Sequence, residues 1–90
     1  MNTELEQRLL SALTTNRLDR AAEYLAVAYN DNVDMSKILM YTAIVYEGQH
    51  KPEKAMCYYR ASLALDGTNK ATLYNLYRLA ESKKEPIRFL

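Results

Sequence analysis

The chain has 90 residues, of which 49% are apolar, and its 12 basic and 11 acidic residues give a net charge of +1. This length allows one small domain, and the apolar share argues against a disordered chain. The basic residues do not cluster along the sequence, so we expect no nucleic-acid partner.

The sequence contains no signal for a membrane or for secretion. No apolar run approaches the ~20 residues that a membrane-spanning helix needs, and the N-terminus lacks the basic-then-apolar order of a signal peptide. The single cysteine, Cys57, has no partner for an internal disulfide, which fits a reducing compartment. We therefore expect a cytoplasmic protein with no membrane partner.

The first half of the chain predicts two helices separated by a short polar break. Thr3 and Glu6 have the spacing of a capping box at a helix start. After the break at residues 14–16, Asn16 is predicted to cap the second helix. The apolar and small residues recur at helical spacing; in the first helix they are Leu5, Leu9, Ala12 and Leu13, and in the second Leu18, Ala21, Ala22, Leu25, Ala28 and Tyr29.

Three more helices are predicted after the polar turn at residues 30–34. Asp34 or Ser36 caps helix three, Pro52 begins helix four and Gly67 ends it, and Asn69 caps helix five, which stops before Pro86. The residues predicted to face inward in helix three are Leu39, Thr42, Ala43 and Tyr46, and one face of helix four carries Ala55, Met56, Tyr59, Ser62 and Leu63. In helix five Leu73, Leu76, Tyr77 and Ala80 form one apolar stripe, with Tyr74 and Leu79 outside it.

The chain repeats weakly with an offset of 34 residues. Ala55 then aligns with Ala21, Tyr59 with Leu25, and Ser62 with Ala28. This pattern resembles the tetratricopeptide repeat, a helix–turn–helix unit of 34 residues, although Thr42 and Gly67 replace its usual Leu and Pro. The resemblance implies an all-α fold of about five helices, in which antiparallel pairs stack as a short solenoid. The copies are residues 2–35 and 36–69 and a partial third at 70–90, all within a single domain, 1–90.

The residues for catalysis or metal binding are missing from the sequence. His50 is the only histidine and lies in a predicted turn, and Cys57 follows it across a helix start. A nucleophile and its base need hydrogen-bond reach and a third group that orients the base. One His and one Cys also fall short of a zinc ligand set. We therefore expect no enzyme, no metal and no cofactor.

In tetratricopeptide proteins the first helices of successive units line a concave groove that binds proteins or peptides. The resemblance therefore implies a protein or peptide partner, held as an apolar or amphipathic segment. Met40 and Tyr74 are the favoured contacts, whereas for Leu10 and Ile44 core packing is the alternative. The implied groove positions are Glu6, Leu10, Leu13, Lys37, Met40, Ile44, Glu47, Ala71, Tyr74 and Arg78. The family's carboxylate clamp for chaperone C-termini is not matched, since of its positions only Asn75 suits that role.

Two functions remain open. The first is an adaptor or small chaperone that shields a partner segment. The alternative is a self-associating structural module, or the terminal piece of a larger scaffold, because helix five is apolar over a wide arc and the tail after Pro86 is too short to cover it. A homodimer is the simplest form of that association. The predicted interface consists of Leu73, Leu76, Tyr77 and Ala80.

Overall fold

Five α-helices form the fold in a computed structural model that describes residues 2–31 and 34–89 of the chain. They span Thr3–Thr14 (α1), Leu18–Asp31 (α2), Met35–Gly48 (α3), Pro52–Leu65 (α4) and Lys70–Ala80 (α5). The described residues contain no strand, and the radius of gyration is 11.9 Å, close to the ~12 Å expected of a compact chain of this length. The prediction of an all-α fold with five helices is confirmed.

The helix starts follow the sequence signals in part. Pro52 is the first residue of α4, and Asn69 caps α5 by accepting a hydrogen bond from the backbone N–H of Thr72 at 3.1 Å. At α1 the cap is Asn2 rather than the predicted Thr3, because Asn2 Oδ1 accepts from the N–H of Leu5 at 2.7 Å. Asp34 is at the cap position of α3 but makes no side-chain capping bond.

Two turn predictions are wrong. Asn16 does not cap α2; it lies beyond the end of α1 with a left-handed φ of 58°, a conformation that Asn tolerates better than most residues. Gly67 has no positive φ, so it does not act as a left-handed cap for α4. The turn is instead made by Asp66, whose carboxylate accepts from the backbone N–H of Thr68 at 3.0 Å.

Helix α3 is the central element and packs most extensively against α4. Of its predicted inward stripe only Ala43 is buried, while Leu39, Thr42 and Tyr46 are half-buried. The stripe prediction assumed one buried face, but α3 has neighbours on several sides and is therefore buried around most of its circumference. Its buried residues are Ser36, Ile38, Met40, Tyr41, Ala43, Ile44 and Val45.

Small side chains let the helices approach closely. Ala21, Ala28 and Ala55 are all 0% exposed, as their positions in the predicted stripes require. A larger side chain at any of these points would overpack the contact. The remaining buried apolar residues of the core are Leu9, Ala12, Leu13, Leu25, Ile38, Met40, Tyr41, Ala43, Ile44, Val45, Tyr59 and Ala71.

A buried hydroxyl cluster joins three helices. Ser36 at the start of α3 and Ser62 near the end of α4 each donate to the other's backbone carbonyl, at 2.9 and 2.6 Å, so α3 and α4 run antiparallel. The hydroxyls of Ser62 and Thr72 lie 3.2 Å apart, which extends the cluster to α5. Each hydroxyl therefore has a partner, as buried polar groups require.

The α3–α5 groove and the tail that lies in it

Glu6 connects α1 to α3 through a partly exposed polar cluster. Its carboxylate accepts hydrogen bonds from Lys37 Nζ at 2.7 Å and from the Tyr41 hydroxyl at 2.8 Å. Burial raises the pKa of Glu6, but Lys37 and Tyr41 outweigh it, and the pKa lies below the usual 4.5. Burial, and then the Glu6 carboxylate, raise the pKa of Tyr41. Glu6 and Lys37, both predicted groove residues, are thus paired with each other.

Glu47 is the centre of a second, more deeply buried cluster. It accepts from Arg78 of α5 at 2.6 Å and from the Tyr59 hydroxyl of α4 at 2.9 Å, and the Arg78 and Glu47 side chains are only 6% and 11% exposed. Burial lowers the pKa of Arg78, but its hydrogen bond and charge interaction with Glu47 prevail and raise it. Burial, and then the charge of Glu47, raise the pKa of Tyr59. The cluster holds α3, α4 and α5 together.

The apolar residues predicted to line the groove contribute little free surface. Leu13, Met40 and Ile44 are 7%, 1% and 3% exposed, and Leu10 is half-buried. For Ile44 the structure therefore has the core packing that was the alternative to binding. Ala71 is also buried. Of the predicted groove contacts, Tyr74 is the one whose side chain bonds to another segment, the C-terminal end of the described chain.

That segment is the C-terminal tail (residues 83–89), which has no regular secondary structure and turns back along α5. The hydroxyl of Tyr74 donates to Glu85 at 2.8 Å. Asn75 makes two bonds to Arg88: its amide Nδ2 donates to the Arg88 carbonyl at 2.7 Å, and its Oδ1 accepts from the Arg88 N–H at 2.9 Å. With the tail in place Asn75 is 0% exposed, and Arg88 of the tail supplies partners for both ends of its amide group.

The end of the tail reaches α3. Ile87 and Phe89 are partly buried against the core, and the Arg88 guanidinium lies 5.7 Å from the centre of the Tyr74 ring. Phe89 borders an open cavity of about 290 Å³; its other lining residues are Asp34, Ser36, Lys37, Met40, Asp66 and Asn69. We call the surface between α3 and α5 that carries Lys37, Met40, Asn69, Tyr74 and Asn75 the α3–α5 groove.

Three of the four residues of the predicted oligomer stripe on α5 are exposed, while Leu76 packs against the core. Leu73 and Tyr77 are 40% and 60% exposed, Ala80 is exposed and Leu76 is half-buried. The inward face of α5 consists instead of Ala71, Thr72, Asn75 and Arg78. The exposure of Leu73, Tyr77 and Ala80 is compatible with the predicted interface, which stays a prediction. The polar residues of α5 lie on its inward face because they find partners in Ser62, the tail and Glu47.

The residues considered for catalysis lie apart from the groove. His50 is in the α3–α4 turn with a φ of 61°, and Cys57 is exposed on α4. Within residues 2–31 and 34–89, no cluster of three or more His, Cys, Asp or Glu residues is arranged to hold a metal ion. None of the described helices is long and apolar enough to cross a membrane.

Comparison with protein-family models, curated proteins and solved structures finds no match for this chain. With no relative to compare, the functional proposal below is based on Tyr74, Asn75 and the tail segment that they bind. Sequence reasoning marked Tyr74 as a contact but missed the docking of the tail. The available signal was Pro86, which favours an extended residue before it, followed directly by the apolar pair Ile87 and Phe89.

Proposed function

We propose that this protein is a non-enzymatic protein-interaction module that holds a peptide segment in the α3–α5 groove. The observation that supports the proposal is the pairing of Asn75 with the Arg88 backbone, one donor and one acceptor, at 2.7 and 2.9 Å. These bonds recognise a peptide backbone whatever its side chains are. Asn75 thus holds an extended stretch of this chain in the way that a peptide ligand would be held.

The bound segment is extended rather than helical. In an α-helix the backbone N–H and C=O groups are used within the helix itself, so one side chain cannot pair with both groups of a single interior residue. Asn75 does so with Arg88. The expected apolar or amphipathic segment is accordingly proposed to be bound in an extended conformation.

A tetratricopeptide-like stacking of the helix pairs is part of the proposal. Its support is that two ion pairs connect successive first helices: Glu6 of α1 to Lys37 of α3, and Glu47 of α3 to Arg78 of α5. Such links are expected where first helices lie side by side. A cytoplasmic location is also proposed, and the exposed free thiol of Cys57 is compatible with it.

Capture of partners by wild-type and variant chains tests the proposed function. Tyr74→Ala removes a groove side chain at the surface, and Val27→Ala, on α2, removes an exposed apolar side chain elsewhere (57% exposed). We expect partner recovery from native extract to fall at least about fivefold with Tyr74→Ala, since interfaces depend on a few anchors, and to stay unchanged with Val27→Ala. Equal recovery with both variants would place binding outside the groove.

A second candidate function is self-association through α5, favoured by the exposure of Leu73 and Tyr77. Two exposed apolar side chains on one helix face suit an interface between copies. Light scattering on the wild-type chain and on Leu73→Lys with Tyr77→Glu tests it. A wild-type dimer that becomes a helical monomer supports self-association, and a wild-type monomer at high concentration excludes it.

A further inference from the structure

The tail that fills the α3–α5 groove also indicates what kind of partner the groove takes. We propose that residues 85–89 are a displaceable internal occupant, and that the groove binds an extended segment of another protein with the same order of chemistry: acidic, proline, aliphatic, basic, aromatic. This inference rests on the proposed function, because it concerns the same groove. It adds the class of partner and a competition between that partner and the tail.

The acidic residue of the segment, Glu85, is bound by the hydroxyl of Tyr74. This hydroxyl donates to Glu85 Oε2 at 2.8 Å, and the bond to Glu85 raises the pKa of Tyr74. A protonated hydroxyl can donate to a carboxylate. The Tyr74 hydroxyl therefore supplies a hydrogen-bond donor for an acidic residue at this position.

The basic residue of the segment, Arg88, makes two kinds of contact with the groove. Asn75 binds the backbone of Arg88 and sets the register of the segment, while the guanidinium lies 5.7 Å from the centre of the Tyr74 ring. Cations are attracted to aromatic faces at such distances, and Arg most often. Tyr74 therefore contacts both charged residues of the segment, its hydroxyl the acidic one and its ring the basic one.

The aromatic position is where a partner can bind better than the tail does. Phe89 borders an open cavity of about 290 Å³ between the starts of α3 and α5, and it is only partly buried. A larger aromatic side chain in this cavity would bury more apolar surface, which strengthens binding. Met40 in the cavity wall is flexible enough to adapt to such a side chain.

The tail is held weakly enough to be displaced. Three hydrogen bonds join residues 85–89 to α5, and Lys83, Lys84, Glu85, Pro86 and Arg88 are all exposed. Segments with few buried contacts open at low free-energy cost. The short connection to α5 nevertheless gives the tail a high effective concentration at the groove, of the order of millimolar. A partner must overcome this advantage.

The experiment uses a fluorescein-labelled, C-terminally amidated peptide with the sequence of residues 83–89 and the full-length chain. Phe89→Ala weakens the tail but leaves the groove intact. If the tail occupies at least nine-tenths of the grooves, this variant should bind the peptide with a Kd about tenfold lower than wild type, because only empty grooves are competent. A peptide of the same composition in scrambled order is the matched control and should not bind to either chain.

Two further variants show that the peptide binds in this groove. Adding Asn75→Ala to Phe89→Ala should raise the Kd at least about tenfold, as expected when a backbone-pairing group is lost. Tyr74→Phe, which removes only a hydroxyl, is the second variant if Asn75→Ala does not fold, and should raise it about threefold. In wild type, the amide NMR signal of Arg88 should move toward its random-coil position as peptide is added.

Several results would overturn the inference: equal affinity of wild type and Phe89→Ala, binding unaffected by Asn75→Ala or Tyr74→Phe, or no binding at all. A chain that dimerises by exchanging tails, with loss of the dimer in Phe89→Ala, would also overturn it, since the occupant would then be a second copy. None of these results repeats the capture experiment with Tyr74→Ala and Val27→Ala, which separately decides whether the groove binds a protein partner.

Discussion

The two ion pairs of the α1, α3 and α5 helices have similar partners but different surroundings. Glu6 and Lys37 join α1 to α3 with side chains 23% and 31% exposed, whereas Glu47 and Arg78 join α3 to α5 with side chains 11% and 6% exposed. Each carboxylate also accepts a tyrosine hydroxyl. The difference in burial separates an ion pair whose partners water can solvate, Glu6 and Lys37, from one whose partners water cannot reach, Glu47 and Arg78.

Burial makes the second cluster costly to break. In water a lone carboxylate is solvated at no cost, but a buried carboxylate that loses its cation keeps the full desolvation penalty. The nitrogen Nε of Arg78 is buried and has no hydrogen-bond partner among the described residues. Arg78 therefore depends on Glu47 for its one side-chain hydrogen bond, and this bond fixes the position of α5 relative to α3.

The largest effect is expected for Arg78→Met, which leaves Glu47 buried without a cation. We expect the free energy of unfolding to fall by about 3–5 kcal/mol, measured by urea denaturation. The matched substitution at the exposed pair, Lys37→Met, should cost less than about 1 kcal/mol. Equal losses at the two sites would contradict the comparison.

A double variant separates charge from packing at the buried pair. Glu47→Gln with Arg78→Met removes both charges and keeps an acceptor for the Tyr59 hydroxyl. Most of the stability lost in Arg78→Met should return, because replacing both members of a buried pair is often close to neutral. If the double variant is as unstable as the single one, the loss arises from the Arg78 side-chain packing and not from an unpaired charge.

The two tyrosines give the next effect in size. Tyr59→Phe removes a hydrogen bond to a charged, buried acceptor and should cost about 1–3 kcal/mol. Tyr41→Phe removes the corresponding bond to Glu6 and should cost less, about 1 kcal/mol or below, since water can reach the more exposed carboxylate. Thermal unfolding followed by circular dichroism measures both. A larger loss of stability for Tyr41→Phe than for Tyr59→Phe would contradict the expectation that the more buried hydrogen bond contributes more.

The sequence predicts the number and approximate ends of the helices because those signals are local. Pro52 and Asn69 act within one turn of their own helix, and the repeated spacing of Leu9, Ala12 and Leu13 needs no knowledge of the partner. The errors at Thr3 and Asn16 amount to one turn or less, where neighbouring polar residues compete for the same capping role.

The facing of α5 was not predictable from periodicity. Such patterns assume that apolar residues point inward and polar residues outward, but Asn75 and Arg78 point inward because the tail and Glu47 satisfy them. Those partners lie 13 and 31 residues away along the chain. Only the folded arrangement brings them together. The inward polar face of α5 and the docking of the tail on it therefore stay hidden in the sequence, whereas the apolar stripe with Tyr77 is visible in it.

The smallest effect concerns the pH dependence of the exposed pair. The pKa of Glu6 in the folded chain lies below its usual 4.5, so the folded state holds the Glu6 proton less tightly than the unfolded state does. The contribution of Glu6 to stability is therefore complete above about pH 4.5 and is lost as the pH falls through the lower folded pKa. Because Glu6 and Lys37 are partly exposed and screened by water and salt, we expect this contribution to be less than about 1 kcal/mol.

Glu6→Gln tests this contribution in urea unfolding between pH 6 and pH 3. The free energy of unfolding of the variant should depend less on pH in this range than that of wild type, because Gln does not titrate. The two stabilities should therefore converge as the pH falls. Lys37→Met should remove or reverse the contribution of Glu6 to this pH dependence, because Lys37 is the cation that lowers the pKa of Glu6 against the effect of burial. Wild-type slopes in both variants would mean that the α1–α3 pair contributes nothing to folding and that only the buried pair of Glu47 and Arg78 matters.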